Sequence, residues 1–275
     1  MEEVALAAHT QFHLGPVPIT DGVLAGFGIT LTLAILVPLL MRGASVIPTR
    51  FQVAMEAFMD FMMNLFTGAF GSEERARAFS PLLLSIMIFI AVANQMSFVP
   101  FVNQIVLGEH RLFRLPTTDL SATIALALLV FLIAHGIAFS VAPLRHVGDY
   151  IRVGHLFHAK TGSQRMLAVI EILLGPLELL SEIAKVLSLS CRLFGNIFAG
   201  EVMVGIITGL STYSQFFVVW PVNLLGILVG FVQAFVFTLL STLLIANTIR
   251  PYLDIRDARL GKKTEGSTEL HSVHP

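Results

Sequence analysis

The chain has 275 residues, of which 55% are hydrophobic and 13% charged, and its mean hydropathy is +0.82. Soluble domains carry about 25% charged residues, so this composition excludes an ordinary soluble domain and indicates a polytopic membrane protein. A net charge of −1 lacks the basic excess that a nucleic-acid partner requires, and the single cysteine, Cys191, excludes an internal disulfide framework or a CxxC metal site.

Residues 1–22 are mixed in character, read as extramembrane, and have no basic n-region of the kind that opens a cleaved signal peptide. The first apolar run, 23–41, is just long enough to span at about 20 residues per crossing. Residues 49–69 read as a Phe- and Met-rich amphipathic helix with a polar stripe of Gln52, Glu56, Asp60 and Asn64; this suits an interfacial position, a partner surface or a purely structural role. Further spans are predicted over 80–103 and 120–143, and a polar, basic loop from Arg145 to Arg165 follows. The apolar stretches 166–211 and 214–249 are too long for upright helices: about 45 residues make roughly 68 Å of helix, against a hydrocarbon core of about 30 Å. Each must break or tilt. The charged tail 250–275 completes the chain. The expected fold is therefore all-α and polytopic, a single membrane domain of about five membrane helices plus the amphipathic helix, ending in a long helical hairpin.

Orientation follows from the basic residues. Five crossings put the termini on opposite sides. The side of the C-terminus then carries thirteen Lys or Arg outside the spans, and the other side carries Arg111 and Arg114. The positive-inside rule places the N-terminus outside the cytoplasm and the C-terminal tail within it.

Lys185 and Arg192 fall inside the long apolar stretch. A central arginine in a span costs about 2.5–3.5 kcal/mol on insertion scales, and its pKa above ~12 denies it escape by deprotonation. It must face protein, water or an anionic partner. Glu171, Glu178, Lys185 and Arg192 recur at seven-residue steps, so they share one helix face, drifting by only about 20° per step. Asn196 stays near that face, whereas Glu201 points to the opposite side. Two polar approaches to a fixed cation suit an ion pathway; a buried ion-pair network that joins helices gives the same spacing.

The segment "SEIAKVLSLSCRLFGNIFAGE" closely resembles the signature of subunit a of the F-type ATP synthase membrane sector. "FVQAF" near the C-terminus and "PTRFQVAMEAFMDF" after the first span fit the same family in the same order. The resemblance implies a stator subunit of a bacterial inner (plasma) membrane, packed against a ring of c subunits and held with peripheral-stalk subunit b and the other synthase subunits. It also implies two half-channels that carry protons to and from the ring carboxylates, so coupling translocation to rotation and ATP synthesis. It implies a tilted hairpin for the two overlong segments and no cofactor or metal. The family's essential arginine maps to Arg192, which favours the deprotonated ring carboxylate and keeps the half-channels apart. Asn196 and Gln233 match polar residues near it. Glu201 matches a carboxylate of the non-cytoplasmic half-channel, and Glu178, with Lys185 and Ser188 on its seam, matches the cytoplasmic exit.

Two departures from the family pattern stand out. The position seven residues before Gln233, where many members carry a His or carboxylate that partners the Glu201 position, is Gly226. His135 is a candidate substitute for that partner, and it equally suits helix packing. Acidic residues that several members carry at the end of the 80–103 span are replaced by Asn94, Gln95, Ser97 and Asn103. A secondary transporter or channel that uses Arg192 to bind an anion is the rival reading, but the sequence lacks the repeated broken helices of such folds. A membrane hydrolase is disfavoured because the chain contains no HExxH, GxSxG or Gly-rich phosphate loop, so nucleotide chemistry is expected to belong to other subunits.

Overall fold

The computed structural model describes residues 10–14, 17–42, 48–96, 106–107, 110–111, 120–150, 162–210 and 217–259. Every long element is a helix: α1 (Asp21–Met41), α2 (Arg50–Phe70), α3 (Glu73–Met96), α4 (Leu120–Val141), α5 (Pro143–Tyr150), α6 (Gly162–Leu210) and α7 (Val219–Arg259). Two short antiparallel hairpins lie outside them, β1 (Thr10–Leu14) with β2 (Val17–Thr20), and β3 (Val106–Leu107) with β4 (His110–Arg111). Among the described residues, α1, α3, α4 and α7 are long and apolar enough to cross a membrane. The protein is a multi-pass membrane protein whose membrane-crossing elements are all helices. The other crossing expected from the sequence falls on α6, a 49-residue helix carrying the charged seam.

The core is fed by five helices: Met62, Phe66 and Phe70 from α2, Leu83, Met87 and Ile90 from α3, Val130 from α4, Leu193 from α6, and Phe237, Ile245 and Ile249 from α7. Helix α7 is the hub, packing against α2, α3, α4 and α6. The outer faces are apolar too. On α1, Phe27, Leu31, Ile35 and Leu39 form an exposed row at four-residue spacing, while Ala25 and Ile29 turn inward. That is the pattern of a helix whose outer solvent is lipid. The buried face of α4 is built from Thr123, Ala127, Val130, Ala134 and Ala138, small side chains that allow close approach of its neighbours.

The boundaries have local causes. Thr49 caps α2, its hydroxyl accepting from the Gln52 N–H, and Gly71 closes the helix in the left-handed region (φ 71°), donating to the Thr67 carbonyl. Any Cβ there would be strained and would also meet the Arg250 guanidinium at 2.8 Å. The expected start of the second span at residue 80 is too late: α3 begins at Glu73, where the Ser72 hydroxyl accepts from the Arg75 N–H. Pro81 then sits inside the helix and cannot donate to the Arg77 carbonyl, but the Ser80 hydroxyl donates there at 3.1 Å. The expected end at residue 103 lies outside the described residues. The C-terminal helix likewise outruns its expected end at residue 249, passing Pro251 and continuing to Arg259.

The extension of α7 is held by charge. Arg75, 8% exposed, donates to Asp254 and to Asp257, each at 2.7 Å. These two bonds tie the first turn of α3 to the last turns of α7, where Tyr252 and Leu253 are buried. Arg75→Ala is expected to lower stability by about 1.5–3 kcal/mol, the worth of a hydrogen bond to a charged group, and to expose the end of α7 to protease. The matched control Arg77→Ala removes an exposed i,i+4 pair with Glu73 and should change stability by less than about 0.5 kcal/mol. Thermal unfolding and limited proteolysis in detergent compare the two; equal effects would refute the clamp.

Candidate ion-pathway site

Helix α6 carries most of the site. Leu189, Ser190, Leu193 and Ile197 form its buried face. Arg192 and Cys191 lie on the exposed side. Arg192 makes no hydrogen bond or ion pair with any described residue; its helix presents it away from the core that Leu193 joins. Asn196, one turn on, donates from Nδ2 to the Gln233 Oε1 of α7 at 2.7 Å. The structure thus brings together two of the residues singled out near the arginine. Gln233 is 3% exposed, and its Nε2 is buried without a hydrogen bond to a described residue. Ser188 is exposed on α6, and the side chains of Glu171 and Glu201 lie outside the described residues.

Toward the start of α7, Gly226 and Gly230 lie one turn apart. The end of α3 docks here: Asn94 Nδ2 donates to the Gly230 carbonyl at 3.1 Å, and Gln95 Nε2 to the Ile227 carbonyl at 3.0 Å. A Cβ on Gly230 would stand 2.9 Å from Gln95 Nε2 and 3.2 Å from Asn94 Cβ, so glycine is what lets the two helices touch. Asn94 and Gln95, which stand where several family members carry acids, are therefore anchored to the α7 backbone beside Gly226. Ser97 and Asn103 lie outside the described residues.

A second polar cluster gathers at the other end of the bundle, where α4, α5, α6 and α7 meet. Lys185 Nζ donates to Glu182 Oε1 at 2.8 Å; the other carboxylate oxygen of Glu182 is buried and bonded to no described residue. His135 Nδ1 lies 3.1 Å from His146 Nε2, and His146 Nδ1 lies 2.9 Å from the Tyr252 hydroxyl. That hydroxyl donates to Asp149 Oδ2 at 2.7 Å. His135 is within Coulomb reach of Glu182 and Lys185, and Tyr150 is within reach of Glu178 and Glu182. Burial holds His146 below the usual histidine value, against the opposing pull of Asp149 and Glu182. Burial, reinforced by Glu182, Glu178 and Asp149, pushes the Tyr150 phenol up to about 12. The backbone of α5 is itself part of the joint: the Tyr150 carbonyl oxygen occupies the space where a Cβ on Gly175 would stand.

This placement sets His135 beside Glu182 and Lys185 on α6. Glu182 and residue 201 are 19 positions apart on one helix, about 28 Å at ~1.5 Å per residue, and His135 lies at the Glu182 end. Sequence reasoning passed over Glu182, His146, Asp149 and Tyr252. Glu182 lies three residues before Lys185, and His146 three before Asp149, so both pairs had a legible helical spacing.

The sequence profile of the ATP synthase A chain family matches residues 23–246. The ATP synthase subunit a of Moorella thermoacetica is 34% identical over 238 residues, covering 86% of this chain and 94% of the relative. ATP synthase subunit a 2 of Bradyrhizobium sp. is 31% identical over 249 residues, covering 90% and 97% respectively. The subunit a of Bacillus subtilis is 29% identical over 223 residues, covering 76% and 83%. Matches of this extent, on a helical membrane fold, show that the chain belongs to the ATP synthase A chain family.

Proposed function

We propose that the chain is the stator channel subunit of a proton-translocating ATP synthase in a bacterial plasma membrane, not catalytic by itself. It would pack beside a ring of c subunits and against peripheral-stalk subunit b, and carry protons through two half-channels. One observation carries this reading: Arg192 is exposed on a helix whose other face is packed into the core, and it has no counter-charge among the described residues. A permanent cation in that position calls for an anion from outside the chain. A mid-membrane carboxylate passing on a ring meets the requirement. It is attracted when deprotonated, and the same charge repels protons that would cross directly between half-channels.

On this reading, the Glu178–Glu182–Lys185 seam belongs to the cytoplasmic route and Glu201 to the opposite one. Asn196 and Gln233 lie between. The amides of Asn94 and Gln95 contribute polarity beside Gly226, where a titratable partner is missing; they can hold water but cannot exchange protons.

Arg192→Ala is expected to reduce proton-driven ATP synthesis to background in complexes that still assemble. Arg192→Lys should fail as well, because lysine lacks the planar fork and can lose its proton when desolvated. Near-normal synthesis in an assembled Arg192→Ala complex would sink the reading.

Glu201→Gln keeps hydrogen-bonding capacity but removes proton exchange, so proton flux should fall by about tenfold or more, while Glu201→Asp should be milder. Flux measured in reconstituted vesicles decides this; unchanged flux in the Gln variant removes Glu201 from the pathway.

The excess of Lys and Arg on one side predicts an N-terminus outside the cytoplasm and a C-terminus within it. In right-side-out vesicles, a tag at the N-terminus should be accessible and one at the C-terminus protected. The reverse result overturns the orientation and, with it, the assignment of the two routes.

A further inference from the structure

The cluster at the α4–α5–α6–α7 joint contains an ordered sequence of hydrogen bonds whose direction can be worked out. The Tyr252 hydroxyl spends its one proton on Asp149. Toward His146 it can therefore only accept, so His146 Nδ1 carries the hydrogen at that 2.9 Å contact. A neutral His146 then has a bare Nε2, which accepts from His135 Nδ1 at 3.1 Å. That leaves His135 Nε2 bare, a buried base with no hydrogen bond to a described residue. The neighbouring α6 presents Glu182, whose Oε2 is likewise buried and unsatisfied. Polar atoms buried unpaired cost about 1–3 kcal/mol each, so both call for a small polar visitor. Water is the one that fits a proton route.

We infer that His135, His146, Tyr252 and Asp149 form a proton wire joining the Glu178–Glu182–Lys185 seam of α6 to the end of the bundle that carries the basic loop. The inference rests on the half-channel reading above and names the path that the cytoplasmic route takes. A proton arriving at His135 Nε2 releases the one on His135 Nδ1 to His146 Nε2. The proton on His146 Nδ1 passes to the Tyr252 oxygen, and the Tyr252 proton passes to Asp149, which gives it up to water. Each group loses one proton as it gains one, so the imidazoles and the phenol end neutral and Asp149 ends as the carboxylate it was at the start. The chain is then left as its own mirror image, with Tyr252 donating to His146 and His146 to His135. That arrangement carries a proton only from Asp149 back toward α6, so a second proton in the first direction follows once the Tyr252 hydroxyl rotates and both imidazoles turn over to restore the starting order; with that reset the wire serves either direction of a reversible machine.

The groups around the wire are consistent with relay. His146 faces Asp149 and Tyr150 on its own helix, Glu182 on α6, His135 on α4 and Tyr252 on α7. Arg145 and Asp149 act on Tyr252, and Glu182 and Lys185 act on His135. Burial favours neutral imidazole at His146, the form the wire needs. A simple structural pin among α4, α5 and α7 would use the same bonds without moving protons, and the test must separate the two.

ATP-driven acidification of inverted membrane vesicles containing the assembled complex does so. His146→Ala is expected to slow pumping by roughly tenfold or more. Imidazole added to the medium should restore it, and Tyr252→Phe should slow it with a shifted pH profile. Wild-type pumping in the His146→Ala and Tyr252→Phe complexes overturns the wire. So does a loss that imidazole leaves unrestored, which is the behaviour of a pin. If His146→Ala fails to assemble, His146→Gln replaces it, keeping volume and hydrogen-bonding ends but unable to pass a proton; wild-type pumping there is equally fatal. Arg192→Ala in the same vesicles separates the two levels of the argument. Normal pumping in that variant removes the half-channel reading itself, whereas its failure beside a fully active His146→Ala removes only the wire.

Discussion

The outward guanidinium of Arg192 is the constraint around which the other parts of the fold are arranged. It cannot discharge, and in hydrocarbon it costs several kcal/mol at the least. A helix free to rotate would turn such a group toward internal polar partners. Helix α6 is not free to do so: Leu189, Leu193 and Ile197 are sunk in the core, and Asn196 is bonded across to Gln233. Rotation by one residue, about 100°, would expose that apolar row and break the inter-helix amide bond. The packing of one face thus holds the charge on the other.

Elsewhere many polar groups of the membrane helices are satisfied within the chain, as a bilayer demands. Thr30 and Thr32 donate to the carbonyls of Gly26 and Gly28, and Thr238, Thr242 and Thr248 donate to carbonyls four residues back on α7. Asn94 and Gln95 use the α7 backbone, and Arg75 uses two aspartates. Arg192 and Arg75 form an instructive pair. Both are arginines on long membrane helices, but Arg75 is buried and doubly compensated, which makes it a fastener, whereas Arg192 is exposed with no counter-charge among the described residues.

Much of this was legible in the sequence because the bilayer makes apolar length informative. The first span, the amphipathic helix and the overlong hairpin segments all follow from run length and from the four-residue polar stripe on α2. The errors arose where local chemistry overrides the usual signals. Pro81 reads as a helix start, and Pro251 sits where a helix would be expected to stop, yet both lie inside helices. Ser80 takes over the carbonyl freed by Pro81, and Arg75 holds the segment around Pro251 in place. The face shared by Glu178, Lys185 and Arg192 was readable from seven-residue spacing. The histidine cluster was not, because His135, His146 and Tyr252 lie on three different helices and only tertiary packing brings them together. A lone histidine on an apolar span has no address in sequence.

The two polar clusters lie near opposite ends of α7, and their separation bears on how a proton would cross. Asn94 and Gln95 meet α7 at residues 227–230, while His146 and Asp149 meet it at Tyr252. Ile227 and Tyr252 are 25 residues apart, about 38 Å of helix, which exceeds a hydrocarbon core of roughly 30 Å. Neither cluster reaches across alone. Between them α7 buries Ala234, Phe237, Ile245 and Ile249, together with Thr238 and Thr242, which are turned onto their own backbone, and Ser241, whose hydroxyl has no hydrogen bond to a described residue. The hydrogen bond from α6 to α7 in this stretch is Asn196 with Gln233, one turn on from the outward Arg192. A proton moving from one cluster to the other within this chain would have to pass an apolar stretch and a fixed cation. On the half-channel reading proposed above, the lower-energy course would be to leave the chain at Arg192's face on a carrier from outside it.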